Sequence, residues 1–355
     1  MRDILVIYGG KSTEHEIAIR SCKNILNALD RKKYHVYASY LNKEGCFSKL
    51  EEIKEEIKDE QELHKVCPND RLASIADLTT SIAQLDYPIC IPAIHGQYGE
   101  DGKIQGFLEI LGINYVGSRV TSSALCMDKG YANMVLEASN IPQAKFFVLT
   151  EEEWTKKDQK ALMEQMIDHC GEHLFVKPCN NGSSVGVSRC RRNNLAEGIQ
   201  TAFRYDHRIL IEEEILGKEL EVSVLAREAS DPGSYTTQRE VLDYTAKYHD
   251  KNLLENVPHP LSKEKNEELK KLAMAAYDSL GCEGFARVDI FMDQEGKFYL
   301  NEINTFPGMT PSSLAPKLWT ALHKMTMGDY LDKIIDYSEI SQKKYGRIET
   351  SWRNE

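Results

Sequence analysis

Arg287, Asp289, Glu302 and Asn304 lie on two largely apolar runs that flank Asp293-Gln294-Glu295-Gly296, a tetrapeptide of turn composition. The pattern predicts an antiparallel hairpin between Gly284 and Gly308. A four-residue turn sets Arg287 opposite Glu302 and Asp289 opposite Leu300, and a period of two then brings the four polar side chains to one face. A one-residue slip would disperse them. Neighbouring carboxylates resist ionising together unless a cation neutralises them, and the oxygens of Asp289, Glu302 and Asn304 are hard ligands suited to Mg²⁺ beside substrate phosphates. An exposed, salt-bridged hairpin is the other reading of these residues alone; the apolar neighbours on both strands count against it.

A second group has phosphate-binding character. Phe175-Val176-Lys177-Pro178 reads as a strand that delivers a lysine into the small-residue stretch Cys179 to Val187, where backbone N–H groups can surround an anion and Ser183 and Ser184 can donate hydroxyl hydrogen bonds. The order is not that of a P-loop, and Gly9-Gly10 is not a dinucleotide fingerprint. A tight structural hairpin accounts equally well for Gly182 to Gly186 taken alone. Lys129, beyond the helix-start candidates Ser122 and Ser123, is a second phosphate-facing cation, or a solvated lysine. The strand Ile209 to Ile215 ends in Glu212, Glu213 and Glu214; its backbone edge suits adenine, and Glu219 suits ribose hydroxyls.

A third group suits an amino acid. Glu16 follows Ser12-Thr13 at a strand-to-helix transition, where its carboxylate can hold an ammonium group or simply stabilise the first helical turn. His95, beside Gly96, stands at another strand end. Gly308 to Leu314 offers hydroxyls and backbone amides to a carboxylate.

Several elements must position these groups. Ile4 to Tyr8 and Tyr34 to Leu41 read as strands around a helix with apolar spacing from Glu16 to Leu29, which predicts a doubly wound α/β domain with its ligand edge at the strands' carboxyl ends. Glu51 to Leu63 reads as a charge-rich helix, Tyr87 to Ile94 as a buried strand and Ile104 to Leu111 as a helix. Ala124 to Ala138 reads as a linking helix, Asp158 to Cys170 and Lys263 to Leu280 as further helices, and the chain closes on a helical region.

With 355 residues the chain calls for two or three domains, and with 41% hydrophobic and 28% charged residues it has the composition of a soluble globular protein. A net charge of −11 counts against nucleic acid or an anionic membrane as partner. No apolar run spans a membrane and no signal-peptide cleavage pattern follows Met1, so the cytoplasm is the expected location. Nine scattered cysteines without metal-ligand spacing are expected to be free thiols packed as small hydrophobes.

In this order the chain resembles the ATP-grasp superfamily, and within it the D-alanine–D-alanine ligases. The stretches that carry the resemblance are GGKSTEHEIAIRS, PAIHGQYGEDGKIQGFLEILGINYVGS, SALCMDK, VKPCNNGSSVGVS, LIEEEILGKELEVSVL, DYTAKY and GFARVDIF with NEINTFPGMTPSSL. It implies an α/β, ATP-grasp fold with an N-terminal doubly wound α/β domain at 1–120, a central subdomain at 121–212 and a C-terminal metal-binding domain at 213–355. ATP would be held with Lys129 and Lys177 on its phosphates, Ser183 and Ser184 in the glycine-rich loop, adenine near Glu212, Glu213 and Ile215, and ribose at Glu219. Asp289, Glu302 and Asn304 would hold two Mg²⁺, with Mn²⁺ as a substitute, and Arg287 would face the reacting carboxylate.

The resemblance further assigns Glu16 to the first D-alanine's ammonium group and His95 to the same substrate. Gly308, Ser313 and Leu314 fall to the second D-alanine, and Lys247 and Tyr248 to a covering loop. Glu16, Ser184, Arg287 and Ser313 form the expected catalytic set of a cytoplasmic, homodimeric enzyme of peptidoglycan synthesis. Two departures stand out: Val241-Leu242 replaces an aromatic pair common before the DYTAKY stretch, and Cys179-Asn180-Asn181 varies the approach to the serine pair. These bear on substrate preference, leaving D-serine or D-lactate as alternative acceptors. The full set of charged groups argues against a nucleotide sensor that does no chemistry.

Overall fold

The apolar run near the N-terminus is buried along all but its first residue, as a strand covered on both faces must be. In the computed structural model, which describes residues 1–236 and 254–347, it forms β1 (Arg2–Gly9). β1 lies between β2 (Tyr34–Leu41) and the strand after β3 (Glu51–Glu52), namely β4 (Ile89–Ile94), in the order β3-β2-β1-β4-β5, with β5 at Asn114–Tyr115. The pairs β2-β1, β1-β4 and β4-β5 are parallel, and Gly9 aligns with Ile94, so the segments after β1 and β4 leave the sheet at one carboxyl edge.

Two helix expectations are corrected. Glu51 to Leu63 is not a helix: Glu51 and Glu52 pair with β2, the chain then runs extended, and one 3₁₀ turn forms at Glu60–Leu63 under an Asp59 cap. Ile53, Ile57 and Leu63 are buried against the first sheet, so their helix-like spacing reflects contact along an irregular path. The linking helix is likewise two helices, Val120–Met127 and Lys129–Ala138, broken at the extended Asp128. Asp128 caps the second helix by accepting from the Tyr131 N–H at 3.0 Å, which fixes Lys129 in its first turn.

The second sheet is antiparallel, in the order β6-β9-β7-β8, from β6 (Phe146–Thr150), β7 (Leu174–Pro178), β8 (Ser188–Cys190) and β9 (Arg208–Glu213). Helices Gln159–Cys170 and Leu195–Phe203 bury their apolar residues against it. β10 (Gly217–Leu225) and β11 (Glu228–Ala229) begin a third sheet, β12 (Ser234–Thr236) and β13 (Leu254–Asn256) form a separate ribbon, and β14 (Phe285–Asp293) and β15 (Phe298–Asn304) complete the third sheet in the order β11-β10-β14-β15. The helix Lys263–Ser279 covers its apolar face.

The β14-β15 hairpin exists where composition predicts it, but its register is corrected. Arg287 pairs with Asn304 and Asp289 with Glu302, whereas Ile290 pairs with Leu300. The pairing therefore shifts at a bulge, and Asn301 has no counterpart on β14. The bulge keeps all four polar residues on one face while Ile290 and Leu300 pack in the core.

The C-terminal helix Met327–Tyr345 packs back on the first sheet, with Tyr330, Leu331, Ile334 and Ile335 in one core with β1 and the helix His15–Ala28. Glu283 pins its end. This buried carboxylate accepts from Lys344 Nζ at 2.8 Å, from Tyr345 OH at 3.3 Å and from the Ser341 hydroxyl. Burial opposes its charge, but Lys344 and the hydroxyls outweigh burial and hold its pKa below the ordinary 4.5. A lowered carboxylate pKa contributes stability that is complete above the unfolded value and is lost as pH falls through the folded one. Glu283→Ala is expected to cost about 1–3 kcal/mol at neutral pH and to weaken the loss of stability below pH 4.5. Urea midpoints at pH 7 and pH 4 check both effects; an unchanged midpoint at pH 7 contradicts the pin.

Candidate active site

The carboxyl edge of the first sheet faces the second and third sheets across a cleft of about 650 Å³, within the range of small-molecule sites. The cleft collects residues that stand far apart in the chain. Lys129, Lys177, Ser183, Ser184, Glu212, Glu213, Ile215 and Glu219 line it, as do Arg287, Asp289, Glu302, Asn304, His95 and Gly308.

The cations directed at its centre, Lys129, Lys177 and Arg287, are each paired with an acid. Lys129 Nζ lies 3.1 Å from Glu302 Oε2 and donates to the Asn181 carbonyl at 2.9 Å. Lys177 pairs with Glu212. The Arg287 guanidinium binds Asp289 in bidentate fashion at 2.7 and 2.6 Å and lies 3.4 Å from Glu221. Burial alone would raise the pKa of Glu302, but Lys129, Lys177 and Arg287 bring it down to about 2. Burial likewise opposes the charge of Lys129, and Glu302 more than restores it. Asp289 is shifted upward, chiefly by burial and also by Glu221 and Glu302, against the pull of Arg287. Among the described residues no group of three or more His, Cys, Asp or Glu side chains is arranged to hold a metal ion. The acids Asp289 and Glu302 are joined instead by the amide of Asn304, 3.1 Å from Asp289 Oδ2 and 3.5 Å from Glu302 Oε1.

The amino-acid end requires a correction. Glu16 does not reach the cleft; its half-exposed side chain pairs with Lys43 at 3.1 Å. Glu14 takes its place: it occupies the N-cap position of the helix that starts at His15, lines the cleft and accepts from the Ser183 hydroxyl at 2.6 Å. A Cβ on Gly96 would lie 2.5 Å from Glu14 Oε2, and one on Gly182 2.7 Å, so both glycines make room for this carboxylate. Two residues along a helix is a rotation of about 200°, which sends Glu16 to the far side. The signal for Glu14 was the phase of the helix.

A family model described as D-ala D-ala ligase N-terminus matches residues 3–118, and one described as D-ala D-ala ligase C-terminus matches residues 135–336. The chain belongs to the D-alanine–D-alanine ligase family. A relative in this family, the D-alanine–D-alanine ligase of Finegoldia magna, is 39% identical over 348 residues, 97% of each chain. Among solved structures, the D-alanine–D-alanine ligase of Coxiella burnetii is 29% identical with a TM-score of 0.78 over 98% of both chains. That of Bacillus anthracis complexed with ATP is 29% identical with a TM-score of 0.76, over 98% of this chain and 100% of the other. The VanG D-Ala:D-Ser ligase of Enterococcus faecalis is 27% identical with a TM-score of 0.78, over 95% and 99%. The expected ATP-grasp fold is the fold of this ligase-family chain.

Other expected ligase residues are placed less directly. His95 is buried with both ring nitrogens engaged: Nδ1 donates to the Phe306 carbonyl at 3.0 Å, so Nε2 accepts from the Ser21 hydroxyl at 2.8 Å. Burial lowers its pKa and keeps it neutral. Ser21, which sequence reasoning missed, also accepts from the Met309 N–H at 3.1 Å, so it ties β4 and the first helix to the segment after β15. Glu100, also missed, accepts from the N–H groups of Gly96 at 2.7 Å and Phe306 at 3.1 Å; burial and Glu14 raise its pKa to about 8 against those donors.

Ser313 Oγ is turned inward, 3.0 Å from the Thr310 N–H and 2.8 Å from Thr310 Oγ1, and Leu314 is packed in the interior; neither lines the cleft, although Gly308 does. Lys247 and Tyr248 lie outside the described residues. Asn180, part of a departure noted above, anchors the base of the glycine-rich loop to Asp128 at 3.1 Å and Asp206 at 2.9 Å.

Proposed function

We propose that this chain uses ATP to join two D-alanine molecules, forming D-alanyl-D-alanine, ADP and phosphate for peptidoglycan synthesis. The observation that carries the reading is the convergence of Lys129 and Lys177, the Glu14 carboxylate and the Asp289-Glu302-Asn304 group on one cleft. The 39% identity to a D-alanine–D-alanine ligase supports it. Three parts, 1–120, 121–212 and 213–355, divide the work, although β9 carries the central sheet to Glu213.

Glu14 binds the ammonium of the first D-alanine and leaves its carboxylate towards the γ-phosphate of ATP. Lys129 and Lys177 exchange their present carboxylate partners for phosphate oxygens, with Ser183 and Ser184 closing over them. Glu212, Glu213 and Ile215 border the adenine, and Glu219 accepts from the ribose. A carboxylate oxygen attacks the γ-phosphorus and ADP departs. The free amine of the second D-alanine, placed by Gly308 with the buried Ser313 and Leu314 supporting that segment from behind, then attacks the acyl carbon, and the bridging oxygen leaves with phosphate. Arg287 stabilises the oxyanion formed in that step. Exclusion of water from the acyl phosphate is the role that the family resemblance gives to Lys247 and Tyr248, which lie outside the described residues.

The donors of Asp289, Glu302 and Asn304 fit two Mg²⁺ or Mn²⁺ ions: all are hard oxygens, and an added cation relieves the burial and like-charge repulsion acting on Asp289. When bound, such ions supply charge neutralisation of the crowded phosphate oxygens. Among the described residues no helix is long and apolar enough to cross a membrane. A cytoplasmic location and a homodimeric assembly belong to the same proposed reading and come from the family resemblance.

Acceptor choice is the finer part of the reading, because a D-Ala:D-Ser ligase shares the fold. Exchange of a methyl for a hydroxymethyl group changes binding by only about 1–3 kcal/mol in a pocket not built to bond the hydroxyl. With ATP, Mg²⁺ and equal D-alanine, D-serine and D-lactate, product masses across pH should show mainly D-alanyl-D-alanine. D-alanyl-D-serine or a depsipeptide as the main product would reject the acceptor while keeping the ligase chemistry.

A further inference from the structure

Strict alternation along β15 would send Asn301 and Glu302 to opposite faces of the hairpin. The bulge prevents this. Leu300 remains in the core opposite Ile290, Glu302 faces Asp289, and the unpaired Asn301 turns into the cleft beside Glu302. There its amide bridges two sheets. Nδ2 donates to Glu219 Oε1 at 2.9 Å, and Oδ1 accepts from Lys177 Nζ at 3.4 Å.

An asparagine suits this place in a way that its near-isosteres do not. Its neutral amide offers a donor to the acid and an acceptor to the ammonium in one rigid group. Aspartate would set a second negative charge against Glu219, and leucine would leave both contacts unmade. The two groups it joins lie on different elements: Lys177 on β7 of the second sheet and Glu219 on β10 of the third. Asn301 therefore fixes the spacing between a phosphate-directed cation and a ribose-directed carboxylate.

We infer that Asn301 is a nucleotide-positioning residue that orients Glu219 towards the ribose and Lys177 towards the phosphates. This rests on the nucleotide roles given above to Glu219 and Lys177. The bulge is then a functional feature of the hairpin, since a regular β15 would withdraw the amide from both partners.

The test uses the full chain and three variants, Asn301→Leu, Asn301→Asp and Glu219→Gln, with equilibrium binding of ATP and 2′-deoxy-ATP measured without D-alanine. Steady-state KM values for ATP and D-alanine are measured alongside. Asn301→Leu should weaken ATP binding about five- to tenfold, leave the D-alanine KM within about twofold, and reduce the preference for ATP over 2′-deoxy-ATP as far as Glu219→Gln does. Asn301→Asp, which retains the acceptor for Lys177, should lose the same sugar preference and serves if the leucine variant does not fold. If Glu219→Gln loses the preference while both folded Asn301 variants keep it, the inference is overturned and the ribose role of Glu219 stands. If Glu219→Gln keeps it, the ribose reading fails and the inference falls with it. A general loss that raises both KM values and leaves the sugar preference intact also overturns it, because that is what misfolding of the hairpin alone would produce.

Discussion

Glu302→Gln is expected to yield a folded protein whose turnover falls by about 10²–10³, the size of loss that follows removal of a preorganised charge at a reacting phosphate. The substitution keeps the side chain's volume and one oxygen, so packing of the hairpin is preserved. What disappears is a full negative charge in a cleft where Glu302 lies 3.1 Å from Lys129 and is held ionised by Lys129, Lys177 and Arg287 down to about pH 2. Lys129 would then lack its main counter-charge and would hold ATP in an altered electrostatic setting. The check is single-turnover ADP formation at saturating Mg²⁺, paired with circular dichroism and a melting curve. Near-wild-type turnover would remove Glu302 from the chemistry; a folded variant with the expected loss would support its place there.

Glu14→Gln should lower kcat/KM for D-alanine by about 10²-fold, because the loss of a charged partner for a desolvated ammonium is worth roughly 1.5–3 kcal/mol. Glu16→Gln should stay within about twofold of the parent, since an exposed ion pair contributes little. The contrast follows from position alone: Glu14 accepts from Ser183 at 2.6 Å inside the cleft, whereas Glu16 pairs with Lys43 on the half-exposed side. D-Alanine saturation curves for the two variants at fixed ATP check the assignment. A defect in Glu16→Gln with a normal Glu14→Gln would restore the residue expected from sequence.

These two residues also show where sequence reading ends. Composition and alternation suffice to find the hairpin and to gather Arg287, Asp289, Glu302 and Asn304 on one face. The register is not legible, because the bulge at Asn301 is marked by neither glycine nor proline and arises from pairing with β14. Glu14 and Glu16 differ only in helix phase, which depends on whether the first turn starts at His15 or one residue later. The helix expected over Glu51 to Leu63 failed for a related reason: Ile53, Ile57 and Leu63 have helical spacing, but edge pairing with β2 holds the start of the segment extended. The Lys129-Glu302 pair and the Ser21-His95-Phe306 connection join distant parts of the chain, and no local pattern announces such partners.

The central claim is that one carboxylate oxygen of the first D-alanine is phosphorylated by ATP and then leaves as phosphate when the second D-alanine attacks. The most direct measurement uses D-alanine labelled with ¹⁸O in both carboxylate oxygens, followed by mass analysis of the phosphate and dipeptide formed with ATP and Mg²⁺. The account predicts one labelled oxygen in each phosphate, with the other oxygen of the first D-alanine carboxylate retained in the new peptide carbonyl, in step with ADP formation. Unlabelled phosphate accompanying the dipeptide would contradict an acyl phosphate, and ADP formation that does not depend on D-alanine would contradict the ligase assignment itself.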